Sequence, residues 1–289
     1  GVSRNSVWKA IGQLRREGYI IEAATNRGYR LTEVPDRISV AGISQWLKPG
    51  EIGSRMELHR TLDSTNTRAK AIAATGAPHG YLVIAESQTG GKGRMGRAFF
   101  SPEHSGVYIT YILRPDMLAE QAVMITSMAA VAVARAIEAV ADVQVGIKWV
   151  NDLYLNGRKV AGILAEGVLS PDGTLSAVVI GIGINVYGTL PPELSTIATT
   201  LEREGVTLTR EDLAAAFLNE WERVYADTDA AMAEYAKRNL VIQREITVVQ
   251  GHRTYLATAV GITSEGHLLV RTPDGEEREL SSGEVSVKL

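Results

Sequence analysis

The sequence predicts an α+β protein built from three successive stretches. Three observations carry that prediction. Residues 1–35 read as one helix and two short β runs, residues 36–243 mix helical and β periods, and residues 244–289 are β throughout. At 289 residues the chain is long enough for about two domains, and its 45% hydrophobic and 22% charged residues are those of a globular protein.

In the first stretch Ser3 is placed to cap a helix whose Val7, Ile11 and Leu14 share a face, with Gly18 ending it. YIIEA and YRLTE follow as β runs joined by TNRG, a turn with a basic tip. A helix followed by a β-wing resembles the second half of a winged helix-turn-helix, in which the helix enters the major groove and the wing touches phosphates. That resemblance offers Ser3, Arg4, Asn5, Lys9 and Arg27 as DNA-facing residues; a terminal cap without function is the alternative. The chain opens at Gly1-Val2, where the turn before a recognition helix belongs, so one or two preceding helices are expected to be absent. Weak or no operator binding in a gel shift is the expected consequence.

Val34-Pro35-Asp36 reads as a linker. Beyond it MELHRTLD, YLVIAES and VYITYILR read as strands, TNTRAKAIAAT as a helix stopped by Gly76, and EQAVMITSMAAVAVARAIEAV as a buried helix. Asn156-Gly157 marks a hairpin in LYLNGRKVAGIL, and LSAVVIGIGINV continues the sheet. The run from Thr209 to Asn239 is amphipathic and helical, with Thr209 and Asp212 spaced as a capping pair. EITVVQ, TYLATAVGIT, HLLVR, EREL and VSVKL then suggest a small barrel.

Charge and composition narrow the chemistry. Six cations against two acids give residues 1–30 a net +4, while the rest of the chain is acidic within an overall −3, as expected of a small unit that meets a polyanion. The absence of cysteine excludes disulfides, thiolate metal sites and cysteine nucleophiles, and fits a cytoplasmic protein. No signal peptide or membrane span is read, and the five histidines lack metal-ligand spacing, so metal ligands stay unassigned.

SQTGGKGRMGR, residues 87–97, concentrates glycine and positive charge. Gly91 to Gly96 matches G-x-G-x-x-G, but no helix follows, as a dinucleotide site requires; Glu86 and Gly93 exclude a P-loop, and no H-R-D or D-F-G supports a kinase. What remains is a cationic strand-to-strand loop able to close over an anion, or a solvated basic loop. KWVNDLYLNGRKVAGIL places Lys148, Asn151, Asp152 and Lys159 around one hairpin beside an apolar Ala161-Gly162-Ile163-Leu164 run. That pattern suits a ligand with an apolar body and a negative end, or a surface hairpin with solvated charges.

The DSTN stretch (Asp63 to Asn66), the glycine loop, KWVND, RKVAGIL, GIGIN and the terminal β module, in this order, resemble biotin–protein ligases, particularly those that also repress biotin operons. The resemblance implies a ligase core related to class II tRNA synthetases and an SH3-like C-terminal barrel. It implies two-step acyl transfer with ATP, biotin and Mg2+ and no permanently bound prosthetic group: biotin and ATP give biotinyl-5′-AMP, and a lysine of a biotin carboxyl carrier protein then takes the biotinyl group. Operator DNA and a homodimer are further implied partners, and no membrane is. By motif, Ser64, Thr65 and Gln88 bind the biotin ureido group, with Asn66, Gly91 and Gly162 also on the biotin side. Lys159, Arg94 and Lys92 meet the carboxylate and phosphate, Lys148 adds positive field, and Asp152 orients the carrier lysine or helps hold magnesium. Phe99, Asn151, Gly181, Gly183 and Asn185, with Arg94 and Asp152, line the nucleotide side.

Three positions depart from the family pattern. Lys92 stands where Arg is usual, Val150 replaces the Pro of KWPND and is expected to loosen that turn, and Phe99 stands where Trp is common. A lipoate–protein ligase is the nearest enzymatic alternative, although it needs no polar ureido partners; a DNA-binding sensor without ligase activity is the other.

Overall fold

Ser3 begins the first helix as its spacing predicts: its Oγ accepts the Ser6 N–H at 3.1 Å. The computed structural model describes residues 3–16, 19–24, 27–33, 36–48, 50, 52–114, 122–170 and 172–287. Gly18, Thr25-Asn26 and Val34-Pro35, read above as helix stop, wing tip and linker, lie outside the described residues. The chain packs as two units, residues 1–37 and residues 38–289.

In the first unit α1 (Arg4–Arg16) is followed by an antiparallel pair, β1 (Ile20–Ala24) and β2 (Gly28–Glu33), with Glu22 opposite Arg30. Ile11 and Ile21 are its buried apolar residues, and the Arg15 guanidinium donates to Ile21 O, tying helix to wing. Arg4, Asn5, Lys9 and Arg27 are exposed.

The second unit is built on a seven-stranded mixed sheet. After the short α2 (Val40–Ser44), β3 (Met56–Leu62), α3 (Thr65–Ala74) and β4 (Leu82–Gln88) form its parallel crossover. β5 (Gly106–Leu113), β6 (Gly146–Lys148), β7 (Asp152–Leu155), β8 (Arg158–Leu169) and β9 (Leu175–Asn185) complete the order β3-β4-β5-β9-β8-β7-β6. The turn between β7 and β8 takes positive φ at Asn156 (49°) and Gly157 (77°), the geometry that dipeptide favours.

Strand alternation gives the sheet two buried faces. Ala69 and Ala73 of α3 pack on Val83, Ile112 and Val179; on the other face lie α4 (Ala122–Val140), α5 (Arg210–Ala226) and α6 (Thr228–Arg238). Val123–Val140 has the length and apolarity of a membrane span, yet here it is the central core helix, with Ala129 to Ala134 fully buried. The amphipathic run from Thr209 is two helices rather than one. Thr209 caps α5 as its spacing implies, but Asp227 interrupts the run and accepts the Ala230 N–H to cap α6.

The last five strands are β10 (Glu245–Gln250), β11 (Arg253–Ile262), β12 (Leu268–Arg271), β13 (Glu277–Leu280) and β14 (Glu284–Ser286), antiparallel in the order β13-β12-β11-β10-β14. Ile246, Val248, Leu268 and Val270 join the same hydrophobic core as α4 and α5.

An ion network staples α6 to α4. Arg238 reaches Glu138 at 2.7 Å and Glu234 at 2.6 Å, and Arg135 reaches Glu234 at 2.5 Å. Burial pushes both glutamates upward, but hydrogen bonds from Arg238, Arg135 and, at Glu138, the Val145 N–H hold them below their ordinary pKa. Depressed carboxylates contribute stability that is complete above the unfolded pKa, about 4.3, and is lost as pH falls through the folded value. The urea midpoint is therefore expected to fall more steeply below about pH 4.5 in the unaltered chain than in Glu138→Gln, which has one such carboxylate fewer.

Candidate active site

Ser64 occupies the N-cap position of α3 with extended backbone and 1% exposure, yet its side chain makes no capping bond. Its hydroxyl is therefore not spent on capping the helix. Thr65 presents both its N–H (2.8 Å) and its Oγ1 (3.1 Å) to Gln88 Oε1. Gln88 Nε2 in turn donates to Ser101 Oγ at 2.9 Å. Two adjacent strand-end loops are thereby locked side by side.

The glycine loop doubles back on itself. Lys92 and Ala98 bridge antiparallel, Gly93 N–H donates to Arg97 O at 2.7 Å, and Met95 takes φ 56° at the tip. A side chain at Gly91 would lie 2.4 Å from Phe99 O, so the loop closes only without one. From this frame Lys92 Nζ donates to Thr67 Oγ1 at 2.8 Å, while Arg94 donates to Asn151 Oδ1 at 3.3 Å and Gly283 O at 3.2 Å. Arg97 pairs with Glu284 at 2.5 Å, so the C-terminal sheet also grips the loop.

The Trp149–Val150–Asn151 turn lies opposite. Val150 was expected to loosen it. Instead Trp149 Nε1 donates to Gly266 O and Tyr235 OH to Val150 O, both at 2.9 Å, and Asn151 exchanges hydrogen bonds with Ile163. The Trp149–Val150 peptide is cis. Lys148 and Asp152 face one another across β6 and β7, and Lys159 Nζ lies 2.6 Å from Asp152 Oδ1. Burial, reinforced by the Lys159 charge, holds Lys148 below its ordinary pKa against the pull of Asp152 and Glu284. Burial beside Asp152 pushes the neighbouring Tyr154 up to about 12.

These elements enclose two adjoining cavities. The smaller has Ser64, Thr65 and Gln88 at one end and Gly162, Gly181 and Gly183 along one wall. The larger sets Arg94, Arg97, Lys148 and Lys159 against Asp152 and Glu284, with Leu190, Leu194 and Ile197 as an apolar wall. Arg94, Phe99, Asn151 and Lys159 line both. Residues separated by 65 positions in sequence thus stand at one junction.

Not every expected site residue lines the cavity that its motif implies. Gly91 lines neither cavity; its bare backbone is needed by the loop itself. Gly181 and Gly183 open on the smaller cavity, apart from Asn185 on the larger one, because each admits a neighbouring side chain: a Cβ would meet Asn66 Oδ1 at 2.0 Å or the Phe99 ring at 2.4 Å. Asn66 lines the smaller cavity, but its amide is engaged inside the protein, donating to Leu164 O and Glu166 and lying 2.7 Å from Thr110 Oγ1. Ser3, expected to face DNA, is exposed, and its Oγ also accepts the Ser6 N–H at the start of α1.

Thr110, Ser101, Arg97 and Glu284 join this arrangement without having been singled out from sequence. Thr110 had a legible signal, a hydroxyl at the centre of the otherwise apolar VYITYIL strand. Arg97 and Glu284 had none, since 187 positions separate them.

A mixed-sheet core with a cationic double cavity is a site built for anionic ligands with an apolar body. Residues 58–185 match the Biotin/lipoate A/B protein ligase family, residues 241–288 the biotin protein ligase C terminal domain, and residues 1–30 an HTH domain. The bifunctional ligase/repressor BirA of Bacillus subtilis is 37% identical over 98% of this chain and 89% of its own length; that of Escherichia coli is 29% identical over 100% and 90%. Biotin protein ligase from Aquifex aeolicus, solved in complex with biotin and ATP, superposes with a TM-score of 0.70 at 26% identity, covering 81% of this chain and 98% of that one. The chain belongs to the biotin/lipoate protein ligase family, as a biotin–protein ligase carrying a repressor-type HTH unit.

The fit between Gly183 and Phe99 is testable without any ligand. Gly183→Ala forces the ring aside and is expected to lower stability by about 2 kcal/mol in urea unfolding, as overpacked cores do. Adding Phe99→Leu is expected to recover about half of that loss.

Proposed function

We propose that the smaller cavity takes biotin, ureido group toward Ser64, Thr65 and Gln88, and that the larger takes ATP. One observation carries this reading: Lys159 and Arg94 line both cavities. The biotin carboxylate attacks the α-phosphate, forming the acyl–phosphate bond as the bond to pyrophosphate breaks. Two unit charges at 4 Å repel by about 4 kcal/mol at an effective dielectric near 20, and paired cations at the junction offset that repulsion while holding the atoms in line. Asp152 anchors the Lys159 ammonium. Lys92, tied to Thr67, lies at the biotin end and Lys148 beneath the phosphates.

Mg2+ accompanies ATP and takes its oxygens mainly from phosphate. Asp152 and Glu284, the carboxylates of the larger cavity, are each already paired with a cation. In the second step the amine of a carrier-protein lysine attacks the acyl carbon and AMP leaves with the electron pair. Arg4, Asn5, Lys9 and Arg27 face operator DNA, in a cytoplasmic homodimer whose assembly follows adenylate binding. Residues 36–243 act as the ligase core and residues 244–289 as the module that braces the loop.

Lys159→Ala is expected to reduce biotin-dependent ATP–pyrophosphate exchange at least 100-fold, as loss of a preorganised charge at the reacting oxygens does. Near-normal exchange in that variant contradicts the assignment, and exchange supported by lipoate in place of biotin favours the lipoate alternative.

A further inference from the structure

Lys148 differs from the other lysines of the two cavities. Lys159 is held by Asp152 at 2.6 Å and Lys92 by Thr67 at 2.8 Å. Among the described residues Lys148 Nζ has no hydrogen bond or ion pair; it lies over the Tyr154 ring, 5.9 Å from its centroid. It lines the larger cavity and also a polar cleft bounded by Arg94, Arg97, Asp152, Glu284 and Ser286, between the glycine loop and the terminal module.

That position bears on the second step. A carrier lysine arrives as an ammonium, and its nitrogen has a lone pair for the acyl carbon only after a proton leaves. The larger cavity offers few places for that proton. Asp152 and Glu284 are each paired with a cation, Tyr154 stays a neutral phenol with its pKa pushed up to about 12, and no histidine is among the lining residues. Lys148 is the basic group there without a partner. Burial favours its neutral form, with Lys159 and Arg97 adding to that and Asp152 and Glu284 opposing it. A bound triphosphate keeps it charged; when pyrophosphate departs, most of that negative charge departs too, and the neutral amine comes within reach.

Resting on the ligase reading above, we infer that Lys148 is a catalytic residue of the transfer step, taking the proton of the incoming carrier lysine. The freed amine bonds to the acyl carbon, the bond to the AMP oxygen breaks, and AMP leaves with the electron pair. The new amide nitrogen sheds its remaining extra proton to water. The proton on Lys148 meanwhile sets a positive charge beside the departing phosphate, where it stabilises the leaving group.

The test separates the half-reactions in one preparation: transfer from synthetic biotinyl-5′-AMP to an apo carrier domain, and biotin-dependent ATP–pyrophosphate exchange. Lys148→Arg keeps a charge but cannot take a proton. It is expected to lower exchange by up to about tenfold and transfer at neutral pH by at least about 100-fold, the scale of a lost general base. In the unaltered chain transfer levels off with pH below the ordinary lysine value of about 10.4; in Lys148→Arg it keeps climbing, so the gap narrows. Because the chain has no cysteine, Lys148→Cys treated with 2-bromoethylamine regains an amine at that position alone, and transfer is expected to recover at least about tenfold over the untreated variant. The ratio of the two rates does not depend on the fraction of active protein, so partial misfolding does not mimic the result. Equal loss in both half-reactions, parallel pH profiles, or no recovery on alkylation overturns the inference alone. Absence of biotin-dependent exchange in the unaltered chain overturns the ligase reading and this inference together.

Discussion

Mutual repulsion between a carboxylate and a triphosphate is the constraint that the proposed chemistry places on this fold. No single loop can meet it, because the cations must approach from several sides and still leave room for both reactants. The chain answers with a junction between two cavities. Arg94 arrives from the glycine loop and Lys159 from β8, each steadied by a neighbour, Asn151 and Asp152. Those partners matter as much as the charges. Unrestrained lysine and arginine lose much of their effect to side-chain entropy and water, whereas anchored ones act without reorganising.

The cavity wall is shaped largely by what is missing. Alternate glycines on β9 expose bare backbone on one face, and Asn66 and Phe99 rest on it. Lys159 likewise lies over Gly162, where an added Cβ would come within 3.0 Å of its ammonium. The floor is therefore flat, and the polar ends of the side chains above it are fixed in place. Beneath, the aromatic pile of Tyr111, Phe217, Trp221 and Tyr225 gives the sheet a rigid backing. The buried Arg210–Glu86 pair at 2.8 Å ties α5 to the strand leading into the loop.

Much of the fold was legible because strand alternation, the Asn156-Gly157 turn and the Thr209 cap are local signals. The break at Asp227 was not: the amphipathic period continues across it, and only the geometry of the cap reveals two helices. The site was legible in part, through glycine and cation clusters. Which cavity each glycine serves depends on side chains brought from α3 and the loop, as Asn66 and Phe99 show, and no spacing in GIGIN contains that information. The firmness of the Val150 turn is a tertiary property too. It comes from Gly266 and Tyr235, more than 80 positions away.

The C-terminal sheet shares this logic. Gly283 and Glu284 hold the glycine loop through Arg94 and Arg97, so the terminal module forms part of the cavity wall as well as of the core. A crystal structure with a non-hydrolysable biotinyl-adenylate analogue examines the central claim most directly. The account predicts the bicyclic ring beside Ser64 and Gln88, the adenosine in the larger cavity, and the acyl–phosphate linkage within hydrogen-bond distance of Lys159 Nζ. An analogue seated the other way round, or with its linkage remote from both Lys159 and Arg94, would contradict it.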